Sequence, residues 1–184
     1  MLINISGGGG LVEYKTLGEV VSKNTFKQIG ASELESMVIT GGNVRLLPSS
    51  KNDNWWTNEN ISKDYLCEGE VITLGRARYA NIKYHNGKFV SSNNCTITPK
   101  NKSQVLAKYL YYFIANHAEK FYVSTSTYPK LDSAIFDNFK IPIPPLPIQE
   151  EIVKILDTFT ELEGELEAEL KLRQKQYKYY LNKL

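Results

Sequence analysis

The sequence predicts an α+β fold, in which a mixed α/β domain with a β-sheet and packed helices precedes one long C-terminal α-helix. Short apolar segments bounded by glycine, asparagine and proline indicate strands between residues 13 and 148. A single apolar stripe at helical spacing indicates one continuous helix over residues 149–184. The glycine run at residues 7–10 offers no side chains to pack, so we assign residues 1–12 to a flexible N-terminus.

The composition is that of a globular protein with one core. The chain has 184 residues, of which 42% are hydrophobic and 23% are charged. No segment approaches the roughly 18 apolar residues of a membrane span, and the start lacks the regions of a signal peptide. The two cysteines, Cys67 and Cys95, lie far apart, and His85 and His117 are the only histidines. We therefore expect free thiols and neither a disulfide framework nor a metal centre.

Four strands and one hairpin are predicted inside the domain. Each strand is followed directly by glycine or proline, which end regular pairing. These strands are Ser36–Thr40, Glu70–Leu74, Thr96–Thr98 and Phe139–Ile143. The Asn86-Gly87 pair lies between the segments Asn81–Tyr84 and Lys88–Val90 and predicts the hairpin, because both turn positions tolerate positive φ.

The other segments of the domain are helix, loop and connector. The apolar residues of Gln104–Phe121 fall at helical spacing, whereas Glu13–Ser22 fits a short helix or a strand. Polar loops are predicted at Ser49–Asn60, where Trp55 and Trp56 are expected to pack the loop down, and at Ser124–Lys130. The prolines after the last strand predict a stiff connector that aims the C-terminal helix; they are Pro142, Pro144, Pro145 and Pro147.

The C-terminal helix carries more apolar surface than a small domain can cover. At ~1.5 Å per residue it is about 50 Å long, and its stripe steps by three or four residues with Arg173 in the one gap. Such a helix is expected to pair with another helix. The residues predicted to form this contact are Phe159, Leu162, Leu166, Leu170, Arg173, Tyr177 and Tyr180.

Charge along this helix favours an antiparallel pair. Glutamates crowd residues 161–169, whereas lysine and arginine crowd residues 171–183. Two antiparallel copies place each acidic half against a basic half, and two parallel copies place like charges together. The alternative is a solvated charged face with pairs inside one chain only.

A long segment of the domain contains no acidic residue. Between Val71 and Ala118 there is no aspartate or glutamate, while two arginines and five lysines are present. A surface of this composition would carry a positive field suited to a polyanion. The alternative is chance clustering on a solvated face.

With these features placed, the sequence resembles one half of a specificity (S) subunit of type I restriction-modification systems. The segment 139–149, FKIPIPPLPIQ, resembles the junction between domain and helix in that family, and Leu17–Val20 resembles the domain start. Residues 68–76 resemble its central strand and loop, and residues 108–113 resemble its conserved helix. The likeness covers residues 13–184, but Ala77 stands near a position where many relatives have a second glycine.

The resemblance implies a cytoplasmic, non-catalytic protein that reads double-stranded DNA. It implies a modification (M) subunit as a partner, which binds S-adenosylmethionine and methylates adenine, and a restriction (R) subunit as a further candidate partner. No cofactor is expected on this chain, and no membrane contact. Because family members usually carry two recognition domains and two long helices, an antiparallel homodimer is expected to read a bipartite symmetric site. A fragment of a longer subunit is the competing explanation.

The residues predicted to contact DNA lie in three loops. Arginine reads guanine and asparagine reads adenine through paired hydrogen bonds, whereas lysines contact phosphate. The first loop and its flanks give Arg76, Arg78, Tyr79, Asn81, Lys83 and Lys88. The second gives Thr40, Asn43 and Arg45, and the third gives Ser126, Thr127, Tyr128 and Lys130.

Two rival functions remain open at this point. One is a helical adaptor that does not read DNA, in which the long helix is the functional part. The other is an enzyme fragment acting on RNA or nucleotides. Catalytic motifs argue against the second, because Pro144-Pro145 follows Ile143 where an adenine methyltransferase has asparagine or aspartate, and the glycine run opens no helix.

Overall fold

A mixed seven-stranded sheet forms the centre of the protein, and a 36-residue helix leaves the domain at its C-terminal end. The computed structural model describes residues 12–23, 26–52, 54–77, 81–124 and 128–183. Residues 1–11 of the predicted flexible N-terminus lie outside these ranges, and Val12 is already buried. The mixed α+β class and the long C-terminal helix are confirmed.

The elements follow one another in short steps along the chain. The strands are β1 Glu13–Thr16, β2 Val21–Lys23, β3 Gln28–Ile29, β4 Val44–Leu47, β5 Trp56–Thr57, β6 Cys67–Leu74, β7 Ile82–Ser92, β8 Cys95–Pro99, β9 Tyr122–Val123, β10 Lys130–Leu131 and β11 Lys140–Ile143. The helices are α1 Leu17–Val20, α2 Ala31–Ser36, α3 Glu59–Ser62, α4 Ala107–Asn116, α5 Ser133–Asn138 and α6 Leu146–Leu181, with a 3₁₀ turn at Ala118–Phe121.

The large sheet combines antiparallel and parallel pairs in the order β2-β8-β6-β7-β4-β5. Strands β4 and β3 both run parallel to β7, whereas β6 pairs with β7 and with β8 in the antiparallel sense. Two small antiparallel pairs, β1 with β11 and β9 with β10, lie outside this sheet. The main core forms where α4 and the aromatic rings of Phe121 and Phe136 pack with β6 and β8.

The predicted hairpin at Asn86-Gly87 is wrong, because β7 runs unbroken through both residues. Its register against β6 extends from Leu74 opposite Ile82 to Cys67 opposite Phe89. The connection between β6 and β7 instead begins at Gly75 and ends at Asn81, where the Gly75 N–H donates to the carbonyl oxygen of Asn81 at 3.0 Å. Long-range pairing with β6 thus overrides a strong local turn signal.

A pair of glycines lets this hairpin bend sharply. Gly69 and Gly87 face each other in register, with φ of +135° and +131°. In a straight strand Lys83 would lie about 26 Å from Ser91, at roughly 3.3 Å per residue. Leu47 pairs with Ser91, and Pro48 is the next residue along the chain. Yet the Lys83 amine donates to the carbonyl oxygen of Pro48. The bend at the glycine pair therefore folds the two ends of β7 towards the same loop.

Replacement of Gly87 by alanine is expected to lower the free energy of unfolding by about 1–3 kcal/mol, because residues other than glycine are strained at this φ. A urea titration followed by the fluorescence of Trp55 and Trp56 measures the change. Gly164 is the matched control, since it lies within helix α6 without a positive φ and no atom lies within 4 Å of an added Cβ. Equal effects at both positions would contradict the proposed bend.

Other boundaries differ from the prediction. Residues 36–40 do not form a strand, because helix α2 occupies Ala31–Ser36 and buries Leu34. The strand of this region is β4, which follows the Gly41-Gly42 turn and brings Val44, Leu46 and Leu47 into the core. The predicted polar loop 49–60 contains β5 and enters α3, and Trp55 packs on an apolar cluster as expected.

Three segments agree closely with the sequence prediction. Strands β6, β8 and β11 occupy the predicted positions with small changes at their ends. The predicted helix at 104–121 is confirmed in its middle as α4, followed by the 3₁₀ turn. Both cysteines are free. In the ranges given above, no cluster of three or more possible metal ligands occurs, and no helix is long and apolar enough to cross a membrane.

The junction between domain and helix is built from strand, prolines and one buried glutamine. Pro142 lies within β11 opposite Tyr14, and Pro147 lies in the first turn of α6, so only Pro144 and Pro145 form the connector. Helix α6 begins at Leu146, three residues before the predicted start. A proline is tolerated there because the first turn of a helix lacks internal acceptors for its N–H groups.

Candidate nucleic-acid interface

A hydrogen bond from a tyrosine anchors the first residue of the β6–β7 turn. The Tyr122 hydroxyl donates to the carbonyl oxygen of Gly75 at 2.5 Å, and burial raises the pKa of this phenol. Gly75 itself is buried, whereas the next residue, Arg76, is exposed. The turn therefore leaves the core at Gly75 and presents Arg76 to solvent. Arg78 and Tyr79 lie outside the described residues.

A second loop joins this turn through backbone contacts. The Leu131 N–H donates to the carbonyl oxygen of Arg76 at 3.0 Å, and Ala77 forms an antiparallel bridge with Lys130. Lys130 is exposed, and its amine lies 6.0 Å from the ring centre of Tyr128. The structure thus brings together the first and third predicted loops. Ser126 and Thr127 lie outside the described residues.

Two residues predicted to contact DNA fix the loop after β4 instead. Asn81 donates to the carbonyl oxygens of Ser49 (3.3 Å) and Ser50. Lys83 is 7% exposed and donates to the carbonyl oxygens of Pro48 (3.1 Å) and Ser50 (2.5 Å). Buried polar groups that satisfy backbone acceptors are costly to withdraw. In the chain without DNA, Asn81 and Lys83 thus hold the loop after β4 in shape, and their contacts with a base and with phosphate stay predictions.

The remaining predicted residues surround Glu59 and Trp56. The Glu59 carboxylate accepts hydrogen bonds from Lys88 at 2.7 Å and from Asn43 at 3.4 Å. The bond from Lys88 lowers the pKa of Glu59, and Glu59 in turn raises the pKa of Lys88. The Arg45 guanidinium lies 4.8 Å from the ring centre of Trp56, and Thr40 is exposed. A nucleic acid would have to displace these contacts before using Asn43 or Lys88.

A cavity of about 300 Å³ connects the two groups of residues. Its lining includes Arg45 and Leu47 on one side and Ile82, Lys83 and Tyr84 on the other. Arg45 therefore lies close to the base of the β6–β7 turn, although 37 residues separate Arg45 from Ile82. The bend at the glycine pair accounts for this proximity.

The acid-free segment does not form one cationic surface, which corrects the sequence prediction. Three of its lysines are paired with carboxylates from elsewhere in the chain. These ion pairs are Lys88–Glu59 at 2.7 Å, Lys102–Glu70 at 3.1 Å and Lys108–Asp157 at 2.7 Å. A fourth, Lys100, donates to the carbonyl oxygen of Gly18. Arg76, at the start of the β6–β7 turn, is exposed as well.

The contact between α4 and α6 orients the long helix. The Asp157 carboxylate accepts hydrogen bonds from Lys108 and Tyr112. Burial raises the pKa of Asp157, but these two bonds outweigh it and the pKa is lowered; burial and the same carboxylate raise the pKa of Tyr112 to about 12. Beside this contact lies an apolar groove of about 590 Å³, lined on the α6 side by Ile152 and Leu156.

Sequence reasoning missed the residues that organise the interface. Glu59 and Tyr122, and Gln149 at the junction of α4 and α6, each bind at least one group that lies far away in sequence. A glutamine in an otherwise amphipathic first turn is the one signal that could have indicated a buried role. Glu59 and Tyr122 carry no local signal, because their partners are set by the sheet register.

Comparison with known proteins gives the family. A family model for the type I restriction modification DNA specificity domain matches residues 11–172, which is most of the chain. The chain belongs to this family. Its specificity domain is 35% identical over 125 residues to the type I restriction enzyme MpnII specificity subunit of Mycoplasma pneumoniae, covering 65% of this chain and 38% of that protein.

Two further likenesses agree with the family assignment. A Haemophilus influenzae protein that carries the name of a type I restriction enzyme specificity subunit is 31% identical over 191 residues, covering 96% of this chain and 46% of that protein. The S subunit structure of a type I restriction-modification system from M. genitalium superposes with a TM-score of 0.62 at 13% identity, covering 86% of this chain and 41% of that chain. The latter likeness concerns the fold alone.

The specificity domain is shorter than its relatives. The chain covers between 30% and 52% of the Mycoplasma pneumoniae proteins that it matches. It also covers 39% of the HsdS subunit structure from Thermoanaerobacter tengcongensis, at a TM-score of 0.52 and 16% identity. The chain therefore spans about a third to a half of the length of these relatives.

Proposed function

We propose that this chain reads the sequence of double-stranded DNA through the surface formed by the β6–β7 turn and the β9–β10 loop. The single observation that carries the proposal is the junction of these two loops by the Ala77–Lys130 bridge and the bond from Leu131 to Arg76. This junction holds an exposed arginine and an exposed lysine at one edge of the domain. An arginine suits a guanine edge and a lysine suits phosphate.

The chain acts without chemistry of its own in this proposal. It directs an M subunit, which binds S-adenosylmethionine, to the recognised site, and an R subunit joins the same complex. The family assignment supports these partners, and the M. pneumoniae relative is named as the specificity subunit of a restriction enzyme. Neither Cys67 nor Cys95 suits the role of a nucleophile, since burial raises the pKa of both thiols.

The proposed active form is an antiparallel homodimer that reads two half-sites. Helix α6 supports this, because apolar residues along it remain exposed in one chain, among them Phe159, Leu166 and Tyr177. A stripe of this size on a soluble helix is typical of a helix–helix contact. Two recognition domains held at a fixed distance would read a symmetric bipartite sequence.

Arg76→Ala is expected to relax or change the recognised sequence at one base pair of each half-site. Losing a two-bond contact to a base costs about 1–3 kcal/mol of discrimination. The measurement is methylome sequencing of cells that express the chain with its M partner. A symmetric bipartite motif for the parent chain would support both the reading role and the dimer.

Lys63→Ala is the matched control, because Lys63 is an exposed cation at the end of α3, outside the predicted loops. The control should leave the motif unchanged. An unaltered motif in the Arg76 variant would contradict the role of this turn. A chain that shows no salt-dependent shift of duplex DNA, yet binds the M subunit, would favour a helical adaptor instead.

A further inference from the structure

The exposed stripe of α6 contains a strict alternation that fixes how two copies can align. Steps of three and four residues alternate through positions 156, 159, 163, 166, 170, 173, 177 and 180. This is the a/d pattern of a coiled-coil seam. Two members of this seam are charged, Glu163 and Arg173, and both are exposed in the single chain. Leu162, predicted as a contact, flanks this seam.

We propose that a second copy of this chain binds α6 in one register, with a twofold axis at the level of residue 168. This inference rests on the proposed homodimer and adds its alignment. In an antiparallel pair each a position faces a d position of the partner, and twofold symmetry makes every contact reciprocal. This register pairs all eight seam positions. The facing pairs are Leu156 with Tyr180, Phe159 with Tyr177, Glu163 with Arg173, and Leu166 with Leu170.

The Glu163–Arg173 pair selects this register over its neighbours. In the single chain the Arg173 guanidinium lies 3.2 Å from the Glu169 carboxylate, four residues earlier on the same helix. In the proposed dimer it also meets the partner's Glu163, so each buried charge has an opposite charge beside it. A shift by one heptad places Glu163 against Leu166 or Tyr180. Burying an unpaired charge is strongly unfavourable, so the dimer is less stable in the shifted registers than in the proposed one.

The same register gives the groove beside α4 an occupant. Tyr180 of the second copy faces Leu156, which lines this groove together with Tyr112, Phe113 and Ile152. Tyr180 is 66% exposed in the single chain, so its ring is available to enter the groove. A tyrosine suits this place because its ring packs on apolar side chains while its hydroxyl reaches solvent. The end of each helix therefore docks on the domain of the other copy.

Disulfide crosslinking of mixed variants tests the register. Phe159→Cys protein mixed with Tyr177→Cys protein is expected to form a crosslinked dimer on oxidation. Phe159→Cys alone is expected to give none, because its two copies would lie about 27 Å apart along the axis. The parent chain, with its native Cys67 and Cys95, gives the background.

Two other mixtures report the shifted registers. Phe159→Cys with Leu170→Cys crosslinks if the pair is shifted one way, and Leu166→Cys with Tyr177→Cys crosslinks if it is shifted the other way. Either product in place of the expected one overturns the register and leaves the homodimer standing. A crosslink in Phe159→Cys alone indicates a parallel pair and also overturns it. Sedimentation that shows only monomers overturns the homodimer itself.

Charge exchange provides a second readout. Glu163→Arg alone and Arg173→Glu alone should each weaken association by about 100-fold, because each leaves a like-charge pair in the seam. The double variant restores opposite charges in the proposed register and should recover most of the association. A double variant as weak as the single variants would contradict the pairing of these two residues.

Discussion

Gln149→Ala is expected to lower the free energy of unfolding of the domain by about 3 kcal/mol, the largest effect of any single polar substitution proposed for this chain. The side chain is fully buried where α6 leaves the domain. Its amide donates to the carbonyl oxygens of Pro144 (2.8 Å) and Gln104 (3.0 Å). Its oxygen accepts from the Leu106 N–H at 3.0 Å. Removing the side chain leaves three backbone groups without these partners.

Urea unfolding followed by tryptophan fluorescence measures this loss. Glu150→Ala is the matched control, because Glu150 is the next residue in the same helix and is exposed. The control should change stability by less than about 0.5 kcal/mol. A Gln149 variant as stable as this control would show that the three bonds do not fix the start of α6. Because the glutamine joins α4 to α6, its loss should also loosen the direction of the helix.

Leu166→Lys is expected to convert the proposed homodimer to monomers. Leu166 is 66% exposed in one chain and faces Leu170 of the second copy in the proposed seam. Burying a leucine contributes about 1.5–3 kcal/mol, and the twofold axis doubles the loss. The variant also places two ammonium groups in an apolar seam. Sedimentation velocity at several protein concentrations measures the change.

Leu172→Lys separates a specific seam from a general loss of apolar surface. Leu172 is similarly exposed, at 60%, but it lies six residues after Leu166 and so points about 120° away around the helix. This control should sediment as the parent chain does. If both variants sediment as monomers, the loss of apolar surface acts in general and the stripe is not the contact surface. If both remain dimeric, another surface holds the copies together.

The sequence predicted the elements whose signal is local. Strands β6, β8 and β11 show short apolar segments with a breaker directly behind them, and helix α6 shows an apolar stripe over many turns. Such patterns determine which face of an element seeks a core, whatever the core is made of. The fold class and the family followed from these patterns and from the motifs at residues 68–76 and 139–149.

The sequence failed where a distant partner decided the structure. The Asn86-Gly87 pair has the composition of a hairpin turn, yet pairing with β6 keeps β7 extended through it. Residues 36–40 are apolar enough for a strand, but Val44–Leu47 forms the strand instead, because it pairs with β7. In both places the energy of several long-range contacts exceeds the local preference.

The same distinction between local signals and distant contacts applies to the candidate interface. The sequence alone located the turn at Arg76 and the loop at Lys130, because polar and basic residues interrupt apolar segments there. It could not show that backbone bonds join the two loops, or that Asn81 and Lys83 are used to hold the Pro48–Ser50 segment. These contacts depend on the bend at Gly69 and Gly87.

Local periodicity and motif spacing were therefore enough to establish an α+β specificity domain with a long charged helix. Tertiary structure alone decided which cations are paired, because Glu59, Glu70 and Asp157 come from outside the acid-free segment to pair with its lysines. The physical reason is the distance along the sequence over which each kind of interaction acts. Backbone preferences act over a few residues, whereas an ion pair or a strand register joins residues that only the folded chain brings together.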